Sequence, residues 1–161
     1  MFTVAYGSEN RENEIRRIAQ SDRTHALMLA AVHFEWMLKR TILKIGVSPT
    51  KELRERLDKV YKFTSDGGKN SYKMAWDHEV SARFKNSALG TVLGRLQKHQ
   101  VGALRARGKV IHGNGTVSQT EADEAIAFFL DAGKRLREFT LRTGDDLDSR
   151  LKVRRIPRAV K

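Results

Sequence analysis

Apolar residues in this chain recur at helical spacing, and no stretch alternates long enough to predict a strand. The pattern begins with a polar, charged helix over about Glu9 to Ala19. The segment after it, "HALMLAAVHFEWMLKRTILKI", is apolar on nearly every side, which marks the central helix of a bundle. Ser21 or Asp22 is placed to cap that helix, and Gly46 with Pro49 ends it. "TKELRERLDKVYKF" sets Leu53, Leu57, Val60 and Tyr61 on one stripe and predicts a third helix, after which "TSDGGKN" reads as a loop.

Between Ser71 and His99 the pattern weakens. "YKMAWDHEVSARF" fits a helical turn or an irregular connection, and "NSALGTVLGRLQKH" fits a helix weakened by Gly90 and Gly94. "QVGALRARGKVIH" continues as helix, with a kink expected at Gly102, and Gly113-Asn114-Gly115 stops it. In "TEADEAIAFFLDAGKRLREFTLRT" the apolar face is Ala125, Phe128, Phe129, Ala132, Leu136 and Phe139, and Ser118 stands at capping-box spacing from Glu121. The elements add up to an all-α fold, a bundle of about four to six helices over residues 1–144. Residues 145–161 form a basic C-terminal tail, expected to be mobile.

At 161 residues the chain is long enough for one domain with a real core, and its two prolines permit long helices. It has no cysteine, which excludes disulfides and thiolate metal sites. The N-terminus turns charged too soon for a signal peptide, and no apolar run approaches the roughly 20 residues that span a bilayer. These features predict a cytoplasmic protein with no membrane partner.

Charge changes the picture most. Lys and Arg number 31 against 19 Asp and Glu, a net charge of +12, so a polyanion is the expected partner. The excess is uneven. No acid occurs from Val80 to Thr120, a segment that carries Arg83, Lys85, Arg95, Lys98, Arg105, Arg107 and Lys109, with His99 and His112. A second basic block, "RLKVRRIPRAVK", closes the chain and can add salt-sensitive phosphate contacts.

The candidate chemistry lies in "LRARGKVIHGNG". A histidine exchanges protons near neutral pH, and an arginine offers a planar cationic fork to phosphate oxygens. Together they suit cleavage of an RNA phosphodiester, with a base on the 2′-hydroxyl and a cation on the phosphorane-like transition state. No carboxylate cluster suggests a metal, and no cofactor is implied. From Arg107 to His112 a regular helix turns about 140°, so the two converge only if Gly108 and Gly113 let the backbone depart from ideality. Arg105, whose step to His112 returns to within about 20° of one stripe, is the rival arginine. The competing reading of His112 is a favourable cation at a helix C-terminus.

Other residues have ordinary readings. His25 and His33 read as core or interface histidines, and Trp36 and Trp76 as core. Glu35 is expected to pair with Lys39 at i+4, and is the second candidate for orienting His112. Tyr72, Lys73 and Trp76 offer a stacking patch, but an aromatic content of 7% is too low to argue a single-strand binding surface.

With the long apolar helix upstream and the amphipathic helix downstream, "LRARGKVIHGNG" resembles the HEPN domain, whose members carry an Arg, four to six residues and then a His near a helix end. The resemblance in architecture covers roughly Arg23 to Thr143. It implies a metal-independent endoribonuclease that leaves a 2′,3′-cyclic phosphate and a 5′-hydroxyl. It also implies a homodimer with two Arg-His pairs in one composite cleft, often a toxin with a cognate antitoxin or an effector of phage defence. Carried over, Arg107 binds the scissile phosphate and His112 acts as general base or acid. Arg105, Lys109, Asn114 and Lys98 are the candidate RNA contacts around them. The residue after Arg107 is Gly108, where active members often carry Asn or another polar side chain. The alternative is a non-catalytic module that binds RNA or a partner protein.

Overall fold

The structure is a computed structural model that describes residues 7–60, 71–94 and 100–155. It is all-α, with no strand among the described residues. Helix α1 spans Ser8–Ala19, α2 Arg23–Ile45, α3 Thr50–Leu57 and α4 Tyr72–Trp76, which runs on into a π-helical turn at Asp77–Ser81. Helix α5 spans Leu89–Leu93, α6 Gln100–His112 and α7 Gln119–Arg142.

Two helices are the axis of the fold. Helix α2 is stopped upstream by Asp22, whose carboxylate accepts the His25 backbone N–H. It is ended by Gly46, where a Cβ would stand 2.6 Å from the Ile42 carbonyl oxygen. Helix α7 begins with the expected capping box, Ser118 and Glu121 each bonding the other's backbone N–H. The two pack along their length, with Phe34 of α2 against Phe128 and Phe129 of α7 at ring-centroid distances of 6.0 and 5.6 Å. Helix α1 packs on α2, α6 on both helices of this pair, and the shorter α3, α4 and α5 on its remaining surface. Trp76 is fully buried against Phe139, and its indole N–H donates to the Ser87 carbonyl at 2.6 Å, which satisfies its one polar atom. Most of the apolar surface of α2 is thus buried inside one copy of the chain, with Val32 left exposed.

Two expectations are corrected. Helix α3 ends at Leu57 rather than running on through Val60, and Tyr61 lies outside the described residues. The segment after Gly144 is no free tail as far as Arg155. Leu147 is completely buried, and Asp148 accepts the Ser8 backbone N–H at 3.0 Å and its hydroxyl at 2.7 Å. Arg40 donates to the carbonyls of Leu147 and Ser149, and Lys44 to Asp145 and the Arg150 carbonyl. Arg154 donates to the Lys44 and Ser48 carbonyls, and its backbone exchanges hydrogen bonds with Thr50. Arg154 of the expected tail thus bonds a carbonyl exposed at the C-terminal end of α2, where cations are favoured, while α2's own Arg40 and Lys44 bond carbonyls of the tail. Residues 156–161 lie outside the described residues.

Candidate nucleic-acid interface

Helix α6 carries the candidate residues. It runs unbroken from Gln100 to His112 through Gly102 and Gly108, and only Ala103 and Ala106 are fully buried. Small residues on that inner side let the helix lie close to its neighbours α2 and α7. The helix ends in an ordinary way. Gly113 takes the left-handed conformation at φ 65°, and the Asn114 backbone N–H donates back to the Lys109 carbonyl at 3.1 Å. That is the Schellman closure, which glycine serves at no steric cost. The expectation that Gly108 and Gly113 free His112 from helical geometry is therefore corrected: His112 is the last helical residue, and Gly108 lies in regular helix.

The consequence is angular. Along a continuous helix, Arg107 and His112 stand about 140° apart around the axis. Arg107 turns towards α2, where its Nη2 lies 2.6 Å from Glu35 Oε1. Both side chains are partly covered, 27% and 35% exposed, so solvent still reaches the pair. Val101, Arg105, Gly108 and His112 follow i, i+4, i+7, i+11 and share a second stripe. Val101, Arg105 and His112 are exposed, and a Cβ at Gly108 would meet nothing within 4 Å.

The acid-free stretch of sequence is not acid-free in space. Glu35 neutralises Arg107, and Glu121 lies 3.1 Å from Lys109 Nζ. The Ser118 backbone N–H and then Lys109 hold the Glu121 carboxyl down at about 2, so it is ionised at neutral pH. Arg105 is left as the α6 cation without an acid partner among the described residues, and His112 likewise has no hydrogen-bond partner there. Lys98 lies outside the described residues.

Glu35 was expected on Lys39. Lys39 instead pairs with Asp58 at the end of α3, which leaves Glu35 to Arg107 and away from any role in orienting His112. Tyr72 packs beside this junction. Burial first, and then the charges of Glu35 and Asp58, push its hydroxyl above the usual phenol range, with Arg107 opposing. Sequence reasoning missed the Glu35–Arg107 pair because it weighed only neighbours on one helix. The signal that was present is an acid on an otherwise apolar helix, which needs a cation from elsewhere.

Of the remaining candidates, His33, Trp36 and Trp76 have structural roles, and His25 is not a core histidine. His33 is buried, with Nε2 3.5 Å from Glu12 Oε1, and Glu12 is clamped by Arg137 at 2.8 and 3.2 Å. His25 is exposed. Trp76 is buried, so Tyr72, Lys73 and Trp76 present no stacking surface; Trp36 is half-buried beneath the Arg11 guanidinium, 3.7 Å from its ring centroid.

A cavity of about 230 Å³ between α3 and α4 is lined by Leu53, Leu57, Met74 and Ala75, with Arg56, His78 and Glu79. Glu79 is fully buried and accepts the Val47 and Ser48 backbone N–H groups at 3.0 and 2.9 Å, the Ser48 hydroxyl at 2.7 Å, and Arg56. It fastens the α2–α3 turn. Among the described residues no group of three or more His, Asp or Glu side chains is arranged to hold a metal, and no helix is long and apolar enough to cross a membrane. Compared with protein-family models, curated proteins and solved structures, the chain finds no match, so its chemistry is read from these side chains alone.

Proposed function

We propose that this protein is an HEPN-like endoribonuclease that binds single-stranded RNA along α6 and cleaves it without a metal. The reading is carried by one observation: Arg105 and His112 are exposed on one stripe of α6, without acid partners among the described residues, and bare Gly108 lies between them. A phosphodiester can approach the helix backbone at that glycine more closely than at any other residue type. His112 would take the proton from a 2′-hydroxyl. The 2′-oxygen would then attack phosphorus and the bond to the 5′-oxygen would break. The products are a 2′,3′-cyclic phosphate and a 5′-hydroxyl, which takes up a proton. Arg107 would stabilise the charge on the phosphorane.

The 140° offset shapes this reading. One copy does not aim Arg107 and His112 at the same phosphorus, so the catalytic cleft would be completed by α6 of a second copy, in a homodimer. Val101 and Ile111, exposed near the two ends of α6 and about 80° apart around its axis, offer apolar surface for that contact. Incubation of the protein with labelled single-stranded RNA in EDTA tests the proposal. It predicts cleavage that is retained in EDTA and weakened by salt; dependence on added magnesium or manganese would contradict it.

A second reading has its own observation. No described side chain orients His112. A non-catalytic module that holds RNA or a partner protein would need no such orientation. Salt-sensitive RNA binding with intact RNA at every metal condition would establish it.

A further inference from the structure

The ion pair between Arg107 and Glu35 joins the candidate RNA-binding helix to the central helix. This inference rests on the proposal that α6 binds RNA. We infer that Glu35 is a latch, a carboxylate that occupies the Arg107 guanidinium until an RNA phosphate displaces it, so that RNA entry exchanges the anion on Arg107.

Four features carry this. First, a guanidinium presents one planar fork, and carboxylate and phosphate oxygens compete for it. Arg107 Nη2 is 2.6 Å from Glu35 Oε1, so the position is taken. Second, the pair is about one-third exposed, so a polyanion reaches it without unfolding the bundle. Third, Arg105 stands on the outer stripe of the same helix, about 160° around the axis from Arg107, with no acid partner among the described residues, so a strand that lands there meets the latch only by crossing over the helix. Fourth, the displaced carboxylate has somewhere to go. Lys39 lies four residues after Glu35 on α2, the favourable order for a helical pair, and now bonds Asp58, which is more exposed than Glu35. Glu35 can therefore move from Arg107 to Lys39, with Asp58 released to solvent. The exchange conserves ion pairs and reverses when RNA leaves.

The test is a double-mutant cycle read as affinity for a labelled single-stranded RNA at fixed salt, with the native helical signal of each variant confirmed by circular dichroism. Glu35→Gln is expected to tighten RNA binding about threefold to fivefold, the scale set by a partly exposed ion pair. Arg107→Ala is expected to weaken it, and the double variant to bind like Arg107→Ala. Glu35→Asp keeps the charge but shortens the reach, and is expected to tighten binding by a smaller factor. Equal tightening by Glu35→Gln with or without Arg107 would reduce Glu35 to a plain repulsive charge and overturn the latch, as would unchanged or weaker binding by Glu35→Gln or Glu35→Asp. RNA binding that survives in all variants with simply additive effects would sink the latch and leave the RNA-binding reading intact. No RNA binding by any protein, the parent included, would remove both.

Discussion

Single residues divide into those that hold the bundle and those it leaves free. Glu79 belongs to the first group. Burial opposes its charge, yet the hydroxyl and backbone N–H of Ser48, with Arg56 and His78, outweigh burial and hold its carboxyl down to about 2. A carboxyl whose folded value is depressed contributes stability that is present above its unfolded value. That contribution is lost as pH falls towards the folded one. Glu79 should therefore stabilise the fold fully above about pH 4.5 and progressively less down to about pH 2. Glu79→Ala, which leaves buried donors unmatched, is expected to cost about 3 kcal/mol in urea unfolding at pH 7, and much less at pH 3. Nothing in the local sequence announces this role, because its donors come from a turn in another part of the chain. Arg107 was legible as a residue of interest, and its partner Glu35 was not, for the same reason: the pairing is made in three dimensions.

At the scale of elements, much was legible. Helices α2 and α7 follow from periodicity, and their caps, Asp22 and the Ser118–Glu121 box, from short-range chemistry. Helix α5 starts at Leu89, later than the expected helix from Asn86, and meets Gly94 at φ 58° after five residues, while the expected continuation over residues 95–99 lies outside the described residues. Gly113 stops α6, as the sequence predicts, but closes it without distorting it. A glycine before a stop and a glycine within a helix look alike in sequence, but only Gly113 has the positive φ. This gives a paired prediction. Gly108→Ala fills open space in regular helix and should stabilise by about 0.5–1 kcal/mol. Gly113→Ala forces a side chain into the left-handed region and should destabilise by about 1 kcal/mol. Thermal melts separate the two signs. If Gly108 is the approach point for a phosphodiester, the more stable Gly108→Ala protein should also bind RNA more weakly.

For the whole molecule, net charge misled as much as it informed. The +12 excess predicts a polyanion, but many of the cations are spent internally. Arg40, Lys44 and Arg154 hold the segment after α7 onto α2, and Arg137 clamps α1. Composition counts charges without saying which face solvent. Removal of residues 146–161 takes away buried Leu147 together with the Asp148 and Arg154 bonds, and should lower the melting temperature by well over 5 °C. A freely solvated tail would leave it unchanged. Assembly belongs to this scale too. The proposed cleft needs two copies, so sedimentation at micromolar concentration should show a dimer, and Val101→Glu, which charges an exposed position on α6, should shift it towards monomer.

The central claim is that His112 moves a proton during metal-free cleavage, and the ends of the RNA products report on it most directly. Parent protein and His112→Ala would be incubated with single-stranded RNA in EDTA, and the new termini identified by mass spectrometry. The parent should leave 2′,3′-cyclic phosphate and 5′-hydroxyl ends, with the His112→Ala rate reduced at least about 100-fold. Equal rates for the two proteins, or 5′-phosphate ends from the parent, would contradict the claim.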